Sequence, residues 1–168
     1  MKVKDIMDVS PDVLKVKDIM DTSPDVLRVS DTFENLVKIL NKVKYHAVLV
    51  LDKDDKLAGI LTEGDIIKVL IPTYITIDES LITVMDANYF ENKCKESRNL
   101  TLTEIMTKNI ITVREGDSVM KAAALMFTHR IHFLPVLRGD KIVGIVPRKT
   151  LIELVTRTLA EDKTSGLK

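Results

Sequence analysis

The chain has 168 residues, 45% of them apolar, enough for one ordinary domain or two small ones with a buried core. Lysine plus arginine and aspartate plus glutamate both number 25, so the net charge is zero and the basic excess of a dedicated nucleic-acid binder is missing. No apolar run reaches the ~20 residues that cross a bilayer, and with no signal-peptide pattern and a lone cysteine, Cys94, a cytoplasmic location is the expected default.

Two repeats of different length organise the chain. Residues 2–14 read KVKDIMDVSPDVL and residues 15–27 read KVKDIMDTSPDVL, a match at 12 of 13 positions that marks a tandem duplication. A longer, more diverged repeat relates residues 17–70 to 103–156. Met20 to Gly59 is 39 residues and Met106 to Gly144 is 38, whereas Met7 to Gly59 is 52. The second short copy therefore belongs to the fold, and residues 1–14 are surplus to it.

Each long repeat reads as a lead-in, a strand, an amphipathic helix, a two-strand hairpin and a second helix. In the first helix of repeat 1, Phe33, Leu36, Val37, Ile39 and Leu40 share one face. In repeat 2, Val119, Ala122, Ala123, Leu125 and Met126 do the same. The hairpin strands are nearly all apolar, which predicts a sheet covered on its faces. Asp52 to Asp55 and Gly139-Asp140 read as hairpin turns. Pro72 ends a helix, Asp78 to Lys95 reads as one connecting helix, and Glu161 to Lys168 reads as a frayed tail.

The stretch Gly59-Ile60-Leu61-Thr62-Glu63-Gly64-Asp65 carries the chemistry. An apolar strand ends at Thr62 and a helix begins at Glu63, with no loop between. A helix start exposes unpaired N–H groups and partial positive charge, which suits an anion. Asp65 accepts hydrogen bonds from hydroxyls, so a ribose phosphate would meet both halves of its chemistry there. Thr-x-x-Asp is equally a near match to a capping box that only closes a helix end. Both readings stand on these residues.

Other candidates carry less. Cys94 lies in a charged helical surface with no histidine nearby, which is not the setting of a reactive thiol. His129 and His132 fall at a helix end and a strand start, with no third ligand for a metal. No nucleophile–base pair or acid–base carboxylate pair is in view, so an enzyme is not expected.

The long repeat resembles the CBS domain, named after cystathionine β-synthase. Asp18-Ile19-Met20 with Glu104-Ile105-Met106, Leu134-Pro135-Val136 and Gly59 to Asp65 carry the resemblance, over roughly residues 15–158. It implies an α/β fold of tandem βαββα repeats packed by pseudo-twofold symmetry. The division would be a duplicated extension 1–14, repeat 1 at 15–72, a linker 73–101, repeat 2 at 102–160 and a flexible tail 161–168. It also implies a non-catalytic regulatory module, energy sensing included, that binds AMP, ADP or ATP in the cleft between repeats, with no cofactor required. The alternatives are an S-adenosylmethionine sensor and a ligand-free dimerisation module.

On the resemblance, the ligand site would use Ile60, Thr62, Gly64 and Asp65, with Met106, Asn109 and Ile111 from the opposite lead-in and His132 near the phosphates. The second site departs from the pattern. Pro147 stands where Thr62 does and Thr150 where Asp65 does, so a site at His46 and Thr150 would be weak. A homodimer and an unidentified protein partner are implied. Ile66, Ile67, Val69 and Leu70, or Leu151, Ile152, Leu154 and Val155, would supply the apolar interface.

Overall fold

The structure is a computed structural model that describes residues 14–166. The duplicated extension, apart from Leu14, and the last two residues lie outside the described residues. The chain divides into two compact units, residues 24–110 in one and residues up to 23 with those from 111 onward in the other.

In the unit of residues 24–110, β1 (Val26–Arg28) pairs parallel to β2 (Ala47–Leu51), which pairs antiparallel to β3 (Leu57–Thr62). The crossover from β1 to β2 is α1 (Phe33–Leu40). Its start is fixed by Thr32, whose N–H donates to Asn35 Oδ1 at 2.9 Å, a reciprocal cap of the kind that opens helices. Phe33, Leu36 and Leu40 of the expected face are buried, while Val37 is exposed. The apolar run of β2 is buried from Ala47 to Val50, as expected of a sheet covered on both faces. The Asp52 turn forms as expected. Its Oδ1 accepts N–H groups from Lys56 and Asp54, and these bonds hold the carboxyl below its usual range. The core gathers Leu36, Leu40, Val48, Val50, Leu61 and Leu102. Full burial of a leucine such as Leu61 contributes about 1.5–3 kcal/mol.

Leu102 belongs to α4 (Leu102–Ile105), the lead-in of the second sequence repeat. The lead-in of the first, the short helix Val16–Ile19, packs in the other unit, where Val16 is fully buried. Each folded unit therefore takes its lead-in from the other sequence repeat, so the boundaries 15–72 and 102–160 delimit sequence repeats rather than folded units.

The connecting segment corrects one expectation. In place of a single helix over Asp78 to Lys95 there are 3-10 turns at Thr73–Thr76 and Glu79–Val84, then α3 (Tyr89–Ser97), preceded in the chain by α2 (Glu63–Leu70). Asp78 and Asp86 each turn a carboxylate back to the N–H two residues on, at 2.9 Å, and these local bonds compete with the helix ladder.

The second unit repeats the plan with β4 (Val113–Arg114), α5 (Val119–His129), β5 (Phe133–Arg138), β6 (Lys141–Pro147) and α6 (Arg148–Ser165). Val16, Val113, Ala122, Met126, Leu134, Val136 and Val146 form its core. The β5–β6 turn places Gly139 at φ +60°, a left-handed conformation that favours glycine. Arg138 grips Glu115 through two hydrogen bonds of 2.7 Å. The tail expected to fray from Glu161 is helical through Ser165, and the next residue is Gly166. Among the described residues, no helix is long and apolar enough to cross a membrane.

Candidate functional site

The hinge at the end of β3 has the form the sequence predicts: the strand stops at Thr62 and α2 starts at Glu63. Asp65 Oδ2 accepts the Thr62 backbone N–H at 2.9 Å and its hydroxyl at 3.3 Å. The capping role is thus realised. It uses one carboxylate oxygen, and a carboxylate has about four acceptor sites. Among the described residues, Oδ1 meets one donor, the Thr107 hydroxyl at a long 3.5 Å. The cap therefore fixes the carboxylate while leaving an oxygen with acceptor capacity to spare.

Thr107 was not among the residues the sequence singled out. It follows Met106 in the lead-in, and its N–H and C=O exchange bonds of 3.1 Å with Ile60. That bridge lays Met106 across Gly59. A Cβ built on Gly59 would lie 2.9 Å from Met106 Cβ and nearer still to the thioether, so only glycine lets the lead-in approach this closely. The signal for Thr107 was its position beside Met106, but strand pairing at such a distance in sequence has no local periodicity.

Of the expected ligand residues, Ile60, Thr62, Gly64, Asp65, Met106 and Asn109 all belong to the unit of residues 24–110. Asn109 is exposed and Gly64 is exposed in the first turn of α2. A Cβ on Gly64 would meet only the Thr62 hydroxyl oxygen, at an ordinary 3.6 Å. Ile111 and His132 belong to the other unit. Ile111 packs against its core, and His132 is exposed, edge-on to Phe133 with ring centroids 6.4 Å apart. His46 and Thr150, paired in the expected weak site, also fall in different units.

The two hinges differ in charge. His46, at φ +56°, sets Nδ1 3.1 Å from Glu63 Oε1, so the first hinge carries Glu63 and Asp65 on the opening turn of α2. At the second hinge the His132 carbonyl accepts the Arg148 N–H at 2.7 Å, and Arg148 and Lys149 open α6. The lead-in partner of this hinge is Asp21, bridged to Ile145 as Thr107 is to Ile60. By position, Asp21 stands in this lead-in where Thr107 stands in the other, and Thr150 stands in α6 where Asp65 stands in α2.

Comparison with known proteins follows the repeat. A family model described as the CBS domain matches residues 16–72 and 102–157. An uncharacterized protein of Methanocaldococcus jannaschii is 29% identical over 131 residues, covering 71% of this chain and 78% of that protein. The CBS domain of a CBS domain containing membrane protein from Sphaerobacter thermophilus is 31% identical, with a TM-score of 0.66 over 84% of this chain and 88% of that one. A CBS domain pair solved in complex with 5′-methylthioadenosine and S-adenosyl-L-methionine is 26% identical, with a TM-score of 0.67 over 87% of this chain and 98% of that one.

Proposed function

The chain belongs to the CBS domain family, and on that premise we propose that it is a non-catalytic regulatory module binding an adenosine-containing ligand at the Thr62–Asp65 hinge. The observation that carries this reading is the state of Asp65. Its Oδ2 is held at 2.9 Å by the Thr62 N–H, while among the described residues Oδ1 has only the long Thr107 contact. A carboxylate fixed in this way is preorganised to accept the two vicinal hydroxyls of a ribose. The opening N–H groups of α2 supply partial positive charge for a phosphate. Met106 offers an apolar, polarisable surface to the base, and Thr107 a hydroxyl beside the sugar. AMP, ADP and ATP are the leading ligands, which would make the module a sensor of adenylate balance read by a protein partner. A ligand shifts such a protein's equilibrium only by its differential affinity for two states.

A second reading is an S-adenosylmethionine sensor. Two observations favour it: a related pair is solved with that ligand, and Glu63 with Asp65 gives the hinge a carboxylate pair suited to a sulfonium cation. Calorimetry with AMP, ADP, ATP and S-adenosylmethionine separates the two. Asp65→Asn keeps the size of the side chain and removes its charge. Loss of charge-assisted bonds worth roughly 1.5–3 kcal/mol lowers affinity by about 10- to 150-fold. Binding undiminished in Asp65→Asn would remove the site from this hinge.

Each unit also exposes apolar side chains that fit a homodimer interface. Of the expected interface, Ile67 is exposed in the unit of residues 24–110, with Phe90, and Ile152 and Val155 are exposed in the other unit, with Phe127. Ile66 and Leu151 instead pack against their own cores.

A further inference from the structure

The lead-in Val16–Asp21 occupies a well-defined slot in the second unit. The Val16 N–H donates to the Asp117 carbonyl at 2.8 Å and the Lys17 N–H to Glu115 at 3.0 Å. Asp21 and Ile145 exchange two bonds of 2.9 Å, and the Leu14 carbonyl accepts the Val119 N–H at 3.2 Å. Side chains read the segment as well. Val16 is fully buried, Ile19 and Met20 pack against the same core, and Gly144 makes room for Met20 and the Asp21 carbonyl. Lys15 is tied to Asp18 by a 2.8 Å bond that opens the short helix.

The chain carries the sequence that fills this slot twice. Lys2 to Asp8 repeats Lys15 to Asp21 without a change, and Met1 stands where Leu14 does. We propose that the slot is a peptide-binding site for the sequence Val-Lys-Asp-Ile-Met-Asp, with Val3–Asp8 as a second occupant competing with Val16–Asp21. Every backbone and side-chain group that the slot contacts in Val16–Asp21 has an identical counterpart in Val3–Asp8. What separates the two occupants is the tether to β1. Four residues, 22–25, join Asp21 to Val26, whereas seventeen, 9–25, would join Asp8 to it. Loop-closure entropy with a three-halves power of length makes the shorter tether favoured about nine-fold. About one molecule in ten then holds the upstream copy, with its β1 on a tether four times as long. The duplication thus gives the protein a built-in exchange between two lengths of one connection.

The test uses the full chain with aspartate placed in either copy. V16D expels the present occupant, and the upstream copy takes over. Urea unfolding should show the unfolding constant raised by only about ten-fold, with the Ile145 amide still protected from hydrogen exchange. V3D alone should leave stability unchanged. V3D/V16D should lose at least a further hundred-fold, or fail to fold, because a carboxylate must then enter the buried Val16 position. V16D as damaged as V3D/V16D, including failure of both to fold, would overturn the proposal. So would rescue of V16D that appears only at high protein concentration, since a second copy would then be filling the slot.

Discussion

The close passage of each lead-in over a glycine gives a quantitative test of the fold. In Gly59→Ala the added Cβ meets Met106 Cβ at 2.9 Å and its Cγ at 2.6 Å, distances real Cβ atoms do not tolerate. Overpacking of this kind costs about 1–3 kcal/mol. For a chain of this size each kcal/mol lowers Tm by roughly 2–4 °C, so thermal unfolding should shift down by roughly 2–12 °C. Most of the clash is with a flexible side chain. Met106→Ala removes Cγ and Sδ, so in a double-mutant cycle the two substitutions should couple favourably, by about 0.5–3 kcal/mol. The second unit supplies the contrast. A Cβ on Gly144 would meet the Asp21 backbone carbonyl at 2.7 Å, and trimming Met20 cannot move that atom. Gly144→Ala should therefore stay damaging in the Met20→Ala background. Additive energies at Gly59 and Met106, or a relief at Gly144 as large as that at Gly59, would refute the reasoning.

Three further outcomes are expected at other positions. Thr107→Val keeps shape and removes the hydroxyl facing Asp65 Oδ1; calorimetry should show a change in adenosine-ligand affinity of several-fold with Tm nearly unchanged, because one long hydrogen bond contributes little to folding. Glu115 is held below its usual value of 4.5 by the hydrogen bonds from Arg138. A depressed carboxylate contributes stability above its unfolded pKa that is lost as pH falls through the folded one, so Glu115→Gln should be less stable than the parent at neutral pH and should match it in strong acid. An equal deficit at both extremes, by urea unfolding, would place the effect outside the ion pair. Phe127→Glu puts a charge on a side chain that is 85% exposed in the single chain; sedimentation should show a dimeric parent and a monomeric variant of unchanged fold.

The sequence by itself determined most of what is local. Continuous apolar runs and helical periods placed the hairpins and their flanking helices, because a covered strand and an amphipathic helix each print their burial on consecutive residues. The hinge at Thr62 was legible for the same reason: a capping pair three residues apart is a local device, and Asp65 does close the helix as its spacing implied. Asp78 and Asp86 show the limit even here, since two carboxylates turning back on their own backbone outweighed the apolar spacing that read as one helix. Only the tertiary structure decided that Thr107 faces Asp65 and that His46 and Thr150 fall in different units, while an opposite lead-in at the hinge was implied by the family resemblance and by no period in the residues. Those pairings join residues tens of positions apart, and they are set by which backbone can lie over a glycine without a clash. A repeated pattern gives both copies the same claim to a partner, and the choice between them is made by chain connection and packing, neither of which leaves a period in the sequence.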